Sequence, residues 1–331
     1  MTVIDFTHRH AGHCESGVTA ALLSHYGLPL SEPMALGLSS SLTFVHLPFV
    51  KVGGFPLTAY RMLPGSIYKG LRKPLGLEMF TQRFRDADQA MSALDAQLDA
   101  GRPVGLQTSV YWLPYFPPEM RFHFNAHNIV VYGREGNEYL VSDPVFDQPQ
   151  RCAADALRKA RFSLGAFAPR GLMYYPLSFE RSFDLAGAVR RAVRKTCRMM
   201  QWAPLPFVGI RAMRRLADSI ERLPRKHPDP RYARLYVGNI VRMQEEIGTG
   251  GGGFRFMYAA FLQEAARELQ QPALSEAAER MTQAGDQWRQ FALMGARFGR
   301  SKAAVDCAGI AQQLRVCAEH EAGVYRLLQR A

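Results

Sequence analysis

Cysteine is scarce and unpaired in this chain: five residues, at 14, 152, 197, 307 and 317, an odd number with no C-x-x-C spacing. That argues against a disulfide framework or a zinc ribbon and points to free thiols in a reducing compartment, so a cytoplasmic location is expected. No run approaches the roughly eighteen uninterrupted apolar residues of a membrane helix. The opening MTVIDFTHRH carries Asp5 and has no basic stretch ahead of an apolar core, so no signal peptide is expected. Zinc-finger spacing and an aromatic RNP-like run are also missing, which leaves nucleic-acid binding without its usual sequence support. GTGGGGFRFMY formally contains G-x-G-x-x-G at Gly248, Gly250 and Gly253, but a helical run, NIVRMQEEI, precedes it where a Rossmann site needs a strand. No Lys-Ser/Thr follows, which excludes a P-loop as well.

What the chain does have is positive charge in one place. Residues 151–235 hold 19 Lys/Arg against 6 Asp/Glu, while residues 1–150 hold 11 against 13 and residues 236–331 hold 11 against 10. A basic block this concentrated suits an acidic partner, either an acidic carrier protein or a phosphorylated cofactor arm; the plain alternative is a solvated face of amphipathic helices. With 47% hydrophobic residues in 331, there is material for one large core or two ordinary ones.

The pattern along the chain divides in two. ESGVTAALLSHYG reads as a helix, with Val18, Ala21, Leu22 and Tyr26 at helical spacing and Gly27 as its stop. Residues 28–73, rich in Gly, Pro and Ser, read as loops and short strands, with SLTFVHLPFVKV the extended piece. DADQAMSALDAQLDAG is a second helix, RPVGLQTSVYWL a strand after it, and FNAHNIVVYGREGNEYLVSDP a β-hairpin with GREGN as its loop. From about residue 178 onward, six helical runs are separated by APLP, LPRKHPDP and GTGGGG; the last of them begins at Lys302. The expectation is an α+β domain over residues 1–178 followed by an all-helical domain over residues 179–331.

Three residues in the first part carry a chemical logic. Cys14 stands where a loop enters a helix, and unpaired backbone N–H groups with the positive helix end favour thiolate there. Its own N–H can help hold an oxyanion. His127 lies on the first strand of the hairpin and Asp143 ends the second, so the carboxylate can hold one imidazole nitrogen while the other faces sulfur. The order Cys, His, Asp, with a long gap and then a short one, is the papain-like arrangement. Each residue also has a bland reading: a packed thiol, a hydrogen-bonded strand histidine, an Asp-Pro turn. A metal site from His8, His10, His13 and Cys14 is the rival reading, but ligands this closely spaced would strain a tetrahedral site and no second cluster answers them.

GHCESGVTAALLSHYGLPLSEPMALGLSSSLTF resembles the opening of the butirosin-biosynthesis protein H N-terminal family, and AHNIVVYG…YLVSDP is similar to that family's histidine and aspartate strands. HPDPRYARLYVGNIVRMQEEIGTGGGGFRFMYAAFLQEAA looks like a helical domain of unassigned function often fused behind it. The resemblance implies a papain-like cysteine-peptidase fold and an acyltransferase that takes an acyl group from an acyl carrier protein thioester to an amine. Carried over by position, Cys14 is the nucleophile, His127 the base and acid, and Asp143 the orienting residue. The donor is then the phosphopantetheine thioester of a carrier protein, or CoA, and the acceptor a small-molecule amine or hydroxyl. The basic block would dock the acidic carrier. Papain-like enzymes usually supply a Gln before the Cys for the oxyanion; here that region holds His8, Arg9 and His10, and His8 or His10 could donate instead.

The glycine-rich loop could present backbone N–H groups to an anion through Gly250 and Gly251, strengthened by Arg255; alternatively the glycines only let two helices turn. A cysteine hydrolase and a non-catalytic binding module remain the alternatives to acyl transfer.

Overall fold

The computed structural model describes residues 2–246, 248–300 and 306–330, so the expected start of the last helix at 302–305 lies outside the described residues, as does Ile247. The chain forms two compact units, residues 1–35 with 64–184, and residues 36–63 with 185–331.

In the first unit, the described strands are β1 (Thr2–Val3), then, after β2 (Leu42–Val52) and β3 (Phe55–Arg61) of the other unit, β4 (Glu78–Gln82), β5 (Val104–Thr108), β6 (His127–Glu135), β7 (Glu138–Ser142), β8 (Gln150–Ala153) and β9 (Met173–Ser178). They make a seven-stranded antiparallel sheet in the order β4-β9-β5-β6-β7-β8, with β1 also paired to β6. The helices are α1 (Cys14–His25), the start of α2 (Glu32–Leu38), α3 (Ser66–Leu71), α4 (Ala87–Asp99) and α5 (Ala154–Arg161). Side chains alternate across β6, so its two faces fill two cores. Val130 packs with Val18, Ala21 and Leu22 of α1 and with Tyr174, whereas Ile129 and Val131 pack with Leu94 and Leu98 of α4 and Leu157 of α5. The sheet therefore has the cysteine-bearing helix on one side and α4 and α5 on the other.

The second unit is helical, with α6 (Leu185–Trp202), α7 (Gly209–Glu221), α8 (Leu223–Lys226), α9 (Pro230–Glu245), α10 (Arg255–Leu269), α11 (Pro272–Arg300) and α12 (Cys307–Leu328). It also takes in the β2–β3 hairpin, which the sequence pattern grouped with residues 1–178. The cause is apolar burial. Phe44 and Tyr60, on paired strands of the hairpin, pack edge-on against each other and both pack against Trp288 of α11, and all three are inaccessible or nearly so. His46 of β2 also contacts Tyr236 of α9, their side chains 3.3 Å apart. A two-stranded hairpin is marginal by itself and gains its stability from such packing.

Candidate active site

The segment entering α1 is held from two sides. His13 is the N-cap, in extended conformation, and its Nδ1 accepts from the backbone N–H of Ser16. The Glu32 carboxylate, at the start of α2, accepts from the backbone N–H groups of Gly12 (2.9 Å) and His13 (2.8 Å) and from the Ser16 hydroxyl. Burial pushes the Glu32 carboxyl upward, and these donors work against that push. Gly17 lets α1 approach closely: a Cβ there would meet that of Ala11 at 2.6 Å and that of Pro144 at 3.0 Å. The Ala11 N–H bonds the Pro144 carbonyl, so the cysteine segment is tied to the turn that follows Asp143.

His127 opens β6 and Asp143 follows β7. His127 Nε2 donates to Asp143 Oδ2 at 2.7 Å, with both side chains buried. The carboxylate is fully engaged: Tyr115 donates its hydroxyl to Oδ2, and the Val145 N–H bonds Oδ1. This leaves His127 Nδ1 for the sulfur. Desolvation by itself would lower the imidazole, but the Asp143 charge and hydrogen bond, with a further contribution from Cys14, hold it at about 10. His127 is thus a buried cation beside a thiol at a helix N-terminus, the setting that favours a reactive thiolate. Elsewhere in the chain, burial pushes Cys152 and Cys197 up to about 12 and raises Cys307 and Cys317.

The structure brings Cys14, His127 and Asp143 together, and sends the remaining candidates elsewhere. Both ring nitrogens of His8 are engaged, Nδ1 with the Ser142 hydroxyl (2.8 Å) and Nε2 with the Phe146 carbonyl (2.9 Å). His8 therefore braces the turn that holds Asp143 and has no nitrogen left for an oxyanion. His10 is exposed, 3.8 Å from Asp147, which is exposed too. Among the described residues, no group of three or more His, Cys, Asp or Glu is arranged to hold a metal.

Arg255 is also committed. It is fully buried and forked onto Glu321, Nε to Oε1 at 2.8 Å and Nη2 to Oε2 at 3.1 Å, with Nη1 on the Gly253 carbonyl. It cannot reach an external phosphate. The glycine loop already carries an internal anion, since the Glu245 carboxylate accepts from the Gly252 N–H, and the Gly251 N–H is taken by the Thr249 hydroxyl. Gly250 and Gly251 have positive φ, and at Gly253 (φ +58°) a Cβ would strike the Tyr60 ring at 2.4 Å. These glycines serve a tight turn against the hairpin.

Sequence reasoning passed over Asn128. It faces the α1 side of β6, with Nδ2 3.9 Å from Cys14 Sγ and 3.0 Å from the Ala126 carbonyl, while Oδ1 accepts from the Tyr174 hydroxyl. The Ala126 carbonyl fixes which end of the amide is nitrogen. A polar residue next to a strand histidine looks like ordinary alternation, so no local signal marks it.

A helix presenting cysteine to an antiparallel sheet that carries histidine and aspartate is the papain-like arrangement. Residues 13–144 match the family described as butirosin biosynthesis protein H, N-terminal, and residues 155–328 match the domain of unknown function DUF4872. No curated protein matches the chain. Among solved structures it is similar to a protein described as a candidate C39-like peptidase from Bacillus anthracis, 13% identical, covering 56% of this chain and 100% of that one at a TM-score of 0.38. The chain belongs to the DUF4872 family, and the part ahead of that domain matches the family described as butirosin biosynthesis protein H, N-terminal.

Proposed function

We propose that the chain is a cysteine acyltransferase. Thiolate Cys14 attacks the carbonyl carbon of a thioester borne on the phosphopantetheine arm of an acyl carrier protein, or on CoA. The donor C–S bond breaks, the departing thiol takes the proton held by His127, and the acyl group stays on Cys14 as a thioester. His127 then takes a proton from an amine or hydroxyl acceptor. The acceptor attacks the acyl carbon, and Cys14 leaves as thiolate. Asp143 holds the imidazole by Nε2 and stabilises its charged form. Asn128 Nδ2 is placed to donate to the sulfur, and the Cys14 N–H, without an intrahelical acceptor, to the oxyanion.

The observation that carries this reading is the buried 2.7 Å His127–Asp143 bond, which leaves the other imidazole nitrogen to a cysteine at a helix start. The acyl chemistry comes from the family likeness. Intact-mass analysis after incubation with acyl-carrier and acyl-CoA thioesters tests it. One acyl adduct is expected, absent from Cys14→Ala and discharged by amines faster than by water. Discharge by water alone would make the protein a hydrolase, and no adduct from any thioester would remove the reading.

A further inference from the structure

Helix α6 is 18 residues long and contains five cations, Arg190, Arg191, Arg194, Lys195 and Arg198, and no Asp or Glu. Its apolar side, Ala188, Val189, Ala192, Val193, Cys197 and Met200, is buried in the second unit. All five cations are exposed on the other side. Arg190, Arg194 and Arg198 are spaced by four, and the next step of four reaches Trp202. Like charges at this spacing destabilise a helix unless something outside neutralises them. Among the described residues, none of Arg190, Arg194, Lys195 and Arg198 is paired with a carboxylate. The neighbouring Arg214 and Arg315, by contrast, do have carboxylate partners.

The stripe ends on large apolar side chains left in water. Trp202 is 69% exposed, Leu205 58% and Phe49 67%. Phe49 lies against Phe207 with ring centroids 5.2 Å apart, the Arg215 guanidinium covers Phe207, and the His46 N–H bonds the Phe207 carbonyl. The hairpin and the segment after α6 thus form one surface. Beyond Phe49 the strand continues through Val50, Lys51 and Val52, all exposed, to the turn at Gly53 and Gly54.

We propose that this face of the second unit docks on an anionic lipid bilayer. The cations meet lipid phosphates, while the Phe-Val-Lys-Val strand end, Trp202 and Leu205 enter the headgroup boundary. Apolar side chains at a hairpin turn and a helix end, with tryptophan among them and cations alongside, fit an interface that is charged outside and apolar within. An acidic protein would meet the charges, but would need a matching apolar hollow for a projecting strand end. No helix among the described residues is long and apolar enough to cross a membrane, so the attachment is peripheral. The proposal goes beyond acyl transfer and does not depend on it.

Co-sedimentation of the full chain with vesicles tests it, comparing phosphatidylcholine alone with phosphatidylcholine containing 30% phosphatidylglycerol. Binding is expected only to the anionic vesicles, weakening in 0.5 M salt, with a blue shift in fluorescence that Trp202→Phe removes. Each cation near an anionic surface is worth about a fivefold change in partitioning, so the triple variant R190E/R194E/R198E should bind on the order of a hundredfold more weakly. Phe49→Ser should weaken binding without changing its salt dependence. All these positions are exposed, so an unchanged melting curve separates lost docking from lost fold. Absence of binding to anionic vesicles would overturn the proposal, as would equal binding by the triple variant. An acidic carrier protein held by this face, with vesicles ignored, would overturn it in favour of a protein partner.

Discussion

Each unit buries a charged cluster, and the two differ in how completely they are closed. In the second unit, Glu321 accepts two bonds from Arg255, one from Trp288 Nε1 and one from the Tyr325 hydroxyl, and Arg255 spends its remaining contacts on backbone carbonyls. Both carboxylate oxygens are used, and the guanidinium is covered by the Tyr60 and Trp288 rings. In the first unit, Asp143 is equally saturated, but the charge it supports sits on an imidazole with one nitrogen turned to a thiol. A closed cluster holds a core together; an open one has a proton to move. Burial alone does not distinguish them, because all four ionic side chains are inaccessible or nearly so.

Breaking the open cluster should have the largest effect, and on activity. His127→Ala is expected to lower acyl transfer by about 10⁴-fold or more, since nucleophile and base act as a unit, and steady-state kinetics would show it. Breaking the closed cluster acts on stability. Glu321→Ala leaves Arg255 as an unpaired buried charge, and denaturant titration should show a loss of about 3–5 kcal/mol. If Glu321→Ala left stability unchanged, the closed cluster would not be structural.

Smaller effects follow from pH, and the two units respond in opposite directions. His127 is raised to about 10 from an ordinary 6.5, so its charged form contributes stability that is complete below about 6.5 and is lost as pH rises through 10. The alkaline limb of the activity profile should lie in the same range and move to lower pH in Asp143→Asn. His46 in the second unit is lowered by burial to about 4, so it contributes stability that is present above 6.5 and lost as pH falls toward 4. That loss amounts to roughly 3 kcal/mol at most. Melting temperatures of His46→Gln and wild type between pH 4 and 7 check the sign: the gap between them should narrow on acidification.

Locally coded features were legible in the sequence. Cys14 at a helix start follows from a polar lead-in meeting apolar periodicity, and the hairpin from two apolar runs around a Gly-Asn turn. Long-range features were not. Arg255 meets Glu321 across 66 residues, and β4 meets β9 across almost a hundred, with no short-range pattern to announce either pairing. The hairpin at 42–61 reads as a strand pair but carries no sign of which helices cover it. His8 and His10 stand close to Cys14 in sequence, yet the chain turns them toward Ser142, Phe146 and Asp147. Asn128 reached the sulfur unnoticed because strand alternation explains a polar residue there without it.

The contrast between an open and a closed buried cluster rests most directly on the reactivity of one thiol among five. Wild-type protein treated briefly with iodoacetamide at neutral pH, then digested and mapped by mass, should carry the label on Cys14 well before Cys152, Cys197, Cys307 or Cys317. Asp143→Asn should slow that labelling, because the imidazolium that supports the thiolate loses its partner. Labelling of Cys14 no faster than of the other four, or at the same rate in Asp143→Asn, would contradict the account.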